Sequence, residues 1–285
     1  MSRIDIWTIA NQKGGVGKTT TTVTLAGLLA QMGKHVLVID LDPHASLSHY
    51  FGLDDQDEYK SVFDIFAYPD KPNIDIVEPC IHPSHIENIS VLPATMNLAT
   101  LDGQFGQAKG MGLKLKHAID CVAPWYDVVL IDCPPILGVL MINALAASEH
   151  VIIPVQTEHL AIRGLDKMMQ SLVLLEHKLH KKFIKTVVPT LFDKRLRATA
   201  KAYKELEKSY GEFLWSGVIP IDTHFRDASE AHNPASHMYP NSRGVKSYAK
   251  LLTYIQAHFA AKPSLTEQET EAQVNAPIPS TRSDT

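Results

Sequence analysis

The run Lys13-Gly14-Gly15-Val16-Gly17-Lys18-Thr19-Thr20 constrains the fold more than any other stretch of these 285 residues. Gly14, Gly15 and Gly17 let the backbone turn sharply, so that successive N–H groups can converge on phosphate oxygens. A helix opening near Lys18 adds the positive end of its dipole. Lys18 is placed to neutralise β- and γ-phosphates, and the Thr19 hydroxyl suits Mg²⁺, a cation that prefers oxygen ligands. The loop as a whole, Lys13, Gly14, Gly15, Val16, Gly17, Lys18, Thr19 and Thr20, predicts a site for ATP with Mg²⁺. The Gly17-Lys18-Thr19 end fits the GxxxxGK[ST] pattern, but Gln12 stands where that pattern begins with glycine.

Such a loop needs a strand before it and a helix after it, and the chain supplies this alternation repeatedly. Runs rich in Val and Ile at 4–10, 35–40, 89–92, 127–132, 150–155, 183–188 and 213–219 read as buried strands. Helical patterns at 18–32, 111–122, 139–147, 160–179, 198–210 and 245–260 separate them. The alternation predicts an α/β fold, a doubly wound, mostly parallel sheet with helices on both faces. Ligands of such sheets sit at the carboxyl ends of the strands. Two strand runs end in carboxylates there, Asp40 and Asp42 after the second and Asp132 after the fourth.

Residues 56–83, interrupted by Pro69, Pro72, Pro79 and Pro83, read as a surface excursion with one short helix at 62–66. From Lys262 the composition turns to Pro, Ser, Thr, Glu and Gln, so 1–261 is expected to be one domain and 262–285 a disordered tail. The net charge of −4 excludes a uniformly basic surface, leaving any nucleic-acid contact to a local patch. Cys80, Cys121 and Cys133 show no CxxC spacing, which fits free thiols in a reducing cytoplasm. No apolar run reaches the ~18 residues that span a bilayer.

The sequence Lys-Gly-Gly-Val-Gly-Lys-Thr-Thr resembles the deviant Walker A motif of the ParA/MinD ATPases. The likeness extends through 154–165 and 242–248 to nearly the whole of 1–261. It implies that two subunits dimerise on ATP binding and that Lys13 reaches the partner's phosphates. There a second cation would stabilise charge developing on the leaving group. It also implies that Asp42 is the catalytic residue that positions water, and that Asp132 orders Mg²⁺ through the ion's water shell, with Asp42 reaching it likewise. Base contacts are implied near Pro189, Pro220 and Asp222, and DNA contacts at Arg195 and Arg226.

Branches of that family differ in cargo. The segment 264–285 has no apolar stripe and several acidic residues, unlike the membrane helix of MinD-like proteins, so no direct membrane insertion is expected. The dispersed cysteines do not supply the pattern of nitrogenase reductase or of arsenite pumps. The loop lies close to the start of the sequence, unlike the plasmid type with an N-terminal helix-turn-helix. Residues 42–52, 137–148 and 188–193 resemble the ParA-like ATPases of polar chemotaxis clusters, often called ParC. This implies chemoreceptor arrays as cargo, a ParP-like adaptor and a place at the cell pole. The alternative is a partitioning ATPase with non-specific DNA, a ParB-like partner and a nucleoid location. A third reading is a metabolic P-loop enzyme.

Overall fold

The computed structural model describes residues 4–53, 59–101 and 111–260, so the expected tail lies outside the described residues. Parallel strands β1 (Asp5–Ile9), β2 (Val36–Asp40), β4 (Ile89–Leu92), β5 (Val128–Asp132), β6 (His150–Gln156) and β7 (Ile184–Thr190) form the sheet with one short antiparallel edge strand, β3 (His82–Pro83). Their order is β3-β4-β2-β5-β1-β6-β7. Every residue of β2 and β5 is buried, as expected of strands covered on both faces.

Alternate residues of each strand feed two cores. Leu37, Ile39, Val129 and Ile131 face one core, completed by helices α5 (Lys114–Val122), α6 (Val139–Ala147) and α7 (His159–Leu179). Val36, Val38, Val128 and Leu130 face the other, against α1 (Lys18–Gln31) and α11 (Arg243–Ala260). The doubly wound architecture is therefore as expected. Helix α1 carries four consecutive threonines, poor helix formers that here are buried or half-buried. Thr21, Thr22 and Thr24 each donate their hydroxyl to the carbonyl four residues back.

Two expectations fail. Residues 213–219 form no strand: they touch β7 through one parallel bridge, Val187 to Leu214, and through the Ile219 N–H to the Pro189 carbonyl at 2.8 Å, while a second bridge, Phe192 to Pro220, lies just past both runs. The Trp215 ring folds over Gly217, where a Cβ would lie 2.3 Å from it, and this turn cuts the run short. Residues 59–83 are no mere surface excursion either, although the short helix expected at 62–66 is present. Val62, Ile65 and Phe66 of α3 (Val62–Ala67) are buried, as are Val77, at the end of α4 (Ile74–Val77), and Cys80. A capping box between Ser61 and Asp64 starts α3. Helices α2 (Ser46–Tyr50), α9 (His224–Glu230) and α10 (Ala235–Met238) escaped the sequence patterns because each is too short to show a period. Helix α8 spans Arg197–Tyr210.

Candidate nucleotide site

The glycine loop leaves β1 at the carboxyl edge of the sheet and is tied down on both sides. Asn11 donates to the Pro154 carbonyl (2.8 Å) and accepts from Lys13 N (3.1 Å). Thr190 at the end of β7 donates to the Val16 carbonyl (2.8 Å). Gly15 (φ +72°) and Gly17 (φ +88°) adopt left-handed backbone, which a side chain would strain, so the sequence puts glycine there. Lys18 is buried, and its Nζ donates to the Lys13 carbonyl at 3.3 Å, curling back over the loop.

Beneath the loop lie the carboxylates. Asp40 and Asp132 face each other in register on β2 and β5, both buried. Thr19 Oγ1 donates to Asp132 Oδ2 at 2.6 Å. Burial, then the charge of Asp40, pushes the Asp132 carboxyl up to about 8. Burial likewise lifts Asp40 to about 6 against hydrogen bonds from Ser48 and Asp42. Asp42, half-buried, sits just beyond on the loop, its N–H held by Asp40 Oδ1 at 3.0 Å.

Asp132 Oδ1 is buried and has no hydrogen-bond partner among the described residues. A buried carboxylate oxygen without a partner is costly and fits a donor such as an ion's water shell. Thr19 and Asp132 thus suit Mg²⁺, whose other ligands in such sites come from phosphate and water. No cluster of three or more His, Cys, Asp or Glu able to hold a metal occurs among the described residues.

Lys13 and Thr20 flank this centre differently. Lys13 forms an ion pair with Glu158 of the same chain, a partner that sequence reading missed. Thr20 opens onto a cavity of about 340 Å³ beside the loop, lined also by Thr190, Leu191, Pro220, Ile221 and Asp222. Pro189 does not line it. That residue is buried in β7 opposite Val155, its carbonyl accepting from Ile219 N, whereas the neighbouring Thr190 and Leu191 line the cavity. Burial tends to raise the Asp222 carboxyl, but hydrogen bonds from Gly244 and His224 outweigh it and hold the group below its usual range.

The two expected DNA contacts are dissimilar. Arg226 is exposed and lines the mouth of the cavity. Arg195 is exposed but clamped by Asp193, with Nη2 to Oδ2 at 2.6 Å. Among the described residues no helix is long and apolar enough to cross a membrane.

A parallel sheet with a glycine loop after its first strand, over a buried carboxylate and a helix-starting Lys-Thr pair, defines a P-loop nucleotide-binding protein. Residues 4–185 match the AAA_31 family, described as an AAA domain, and the chain belongs to it. The sporulation initiation inhibitor protein Soj of Bacillus subtilis is 36% identical over 251 residues, covering 88% of this chain and 97% of Soj. The chromosome partitioning protein ParA of Caulobacter vibrioides is 31% identical over 247 residues, 85% of this chain and 90% of its own. Among solved structures, cobyrinic acid a,c-diamide synthase from Mycobacterium smegmatis with bound ADP and magnesium superposes with a TM-score of 0.76. It is 28% identical and covers 90% of this chain and 96% of its own. The chain is thus a homologue of the ParA/MinD P-loop ATPases, and the neighbouring fold carries adenine nucleotide with magnesium.

Proposed function

We propose that this chain is an ATP hydrolase whose nucleotide-bound form dimerises and positions a cellular cargo. The observation that carries this reading is the buried Asp132, hydrogen-bonded to Thr19 under the Lys18 loop with one oxygen left over. Lys18 binds the β- and γ-phosphates, and the loop N–H groups orient them. Thr19 and Asp132 hold Mg²⁺, which offsets phosphate charge when bound. Asp42 orients the attacking water and accepts its proton. Lys13 exchanges Glu158 for the phosphates of a second subunit. The base occupies the cavity beside Thr20, with Pro220 and Asp222 at its wall.

Steady-state turnover and size-exclusion chromatography with ATP test this engine. Lys13→Ala should still bind ATP yet neither dimerise nor turn over. A dimeric, fully active Lys13→Ala protein would sink the shared-site reading.

For the cargo, our reading is inheritance of chemotaxis arrays at the cell pole through a ParP-like adaptor. It is supported by the likeness of 42–52, 137–148 and 188–193 to that branch. A second reading, DNA partitioning with a ParB-like partner, is favoured by relatives named as chromosome partitioning proteins and by the exposed Arg226. Fluorescence imaging of the tagged protein separates them: a polar focus that depends on Lys18 supports the first, nucleoid-wide movement the second. Salt-dependent binding to random duplex DNA, lost in Arg195→Glu with Arg226→Glu, would also favour partitioning.

A further inference from the structure

The loop after β2 holds Asp42 by more contacts than its backbone path requires. Asp40 Oδ1 accepts from Asp42 N at 3.0 Å, while Asp40 Oδ2 accepts from both the N–H and the hydroxyl of Ser48 at 2.9 Å. The Ser48 hydroxyl in turn accepts from Ala94 N at 2.9 Å, which anchors the loop to the end of β4. This clamp fixes the main chain of 42–48 and leaves the Asp42 side chain free to turn about its own bonds.

His44 removes that freedom. Its backbone N–H reaches Asp42 Oδ1 at 3.1 Å, and its ring Nδ1 reaches the same oxygen at 2.9 Å. A carboxylate only accepts, so Nδ1 carries the hydrogen in this contact. It does so in the imidazolium and in one neutral tautomer alike, so the contact does not depend on the ring's charge. Asp42 Oδ1 therefore holds two donors, whereas Asp42 Oδ2 has no hydrogen bond among the described residues. The imidazole itself is 78% exposed, so packing does not explain its placement.

We propose that His44 is a positioning residue for ATP hydrolysis: its ring N–H and backbone N–H together fix Asp42 Oδ1, which leaves Oδ2 as the oxygen that meets the attacking water. This rests on the reading of Asp42 as the catalytic carboxylate. The loop here reads Asp42-Pro43-His44-Ala45-Ser46, so the group at position 44 is the one free to be varied without touching the carboxylate. A glutamine amide N–H can reach the same oxygen, so it is the substitution that should conserve the role.

The test is steady-state ATPase kinetics on the full chain carrying His44→Ala, His44→Phe or His44→Gln, beside Asp42→Ala and the double variant Asp42→Ala/His44→Ala. Loss of one solvent-exposed hydrogen bond to a charged group should lower kcat about fivefold in His44→Ala, with KM for ATP unchanged. His44→Phe should match it, and His44→Gln should recover most of the loss. The double variant should fall no further than Asp42→Ala, because His44 acts only through Asp42. Thermal midpoints of the three His44 single variants should stay with the wild type, as the ring is exposed. Unchanged kcat in His44→Ala, a change confined to KM, failure of glutamine to rescue, or a further fall in the double variant would each overturn the proposal while Asp42→Ala stays inactive. Wild-type turnover in Asp42→Ala would instead strike the reading beneath it.

Discussion

Phosphate-side residues leave the ends of strands, whereas the walls of the base cavity come from loops joined to the sheet by single bridges. Thr19 stands two residues past Gly17, Asp42 two past the end of β2, and Asp132 is the last residue of β5. Pro220, Ile221 and Asp222 reach the same nucleotide site only because Phe192 pairs with Pro220 and Asp222 captures Gly244 N at 2.8 Å. The first kind of placement is local and rigid. The second is tertiary, and each contact depends on another far along the chain.

The strongest break in that contrast should come from the phosphate end. Lys18→Ala removes a buried charge from the loop, and ATP affinity by titration calorimetry should fall at least about 100-fold. Asp42→Ala should leave nucleotide affinity intact while kcat falls about 100-fold, the usual size of a lost acid–base group. Equal losses in affinity for both variants would blur the distinction between holding phosphate and reacting with it.

Packing behind the base end should respond more modestly. A Cβ at Gly27 on α1 would lie 2.2 Å from Ser236 Oγ and 2.9 Å from Pro234 Cβ, so Gly27→Val should cost about 2 kcal/mol in chemical denaturation. Stability should also respond to pH. The Asp132 carboxyl, raised from 3.8 to about 8, keeps a proton that the unfolded chain has released. Its stabilising contribution is complete below the lower value and is lost as pH climbs through the upper one. In nucleotide-free protein, Asp132→Asn should flatten that decline in the thermal midpoint between pH 5 and 9. Least of all, Arg195→Ala should leave the midpoint unmoved, because its ion pair with Asp193 is exposed to water.

The same contrast explains what could be read from the sequence. The strands β2 and β5 were legible because Val36–Asp40 and Val128–Asp132 are uninterrupted apolar runs that each end in a carboxylate. Helix α6 was legible to its bounds, being apolar but for Asn143 between Gly138 and Ser148. The run 213–219 has the composition of a strand, yet the fold of Trp215 over Gly217 decides otherwise, and no local pattern encodes that contact. Glu158 was missed as the partner of Lys13 because 145 positions separate them. The base contact expected near Pro189 came from the family resemblance, and of that stretch it is Thr190 and Leu191 that line the cavity.

Asp40 and Asp132 stand level with each other across β2 and β5. From the standpoint of folding alone this pair is a flaw, two acidic groups driven into one dry place and partly neutralised by retained protons. On the proposed reading a nucleotide and its cation would mend it, so that the ligand would complete the protein's interior as much as fill a pocket. Mg²⁺ with ATP should therefore raise the thermal midpoint well beyond ATP alone, and Asp132→Asn should erase most of that extra gain. If the chain hydrolyses ATP as proposed, each cycle would take a structural member out of the core and put it back.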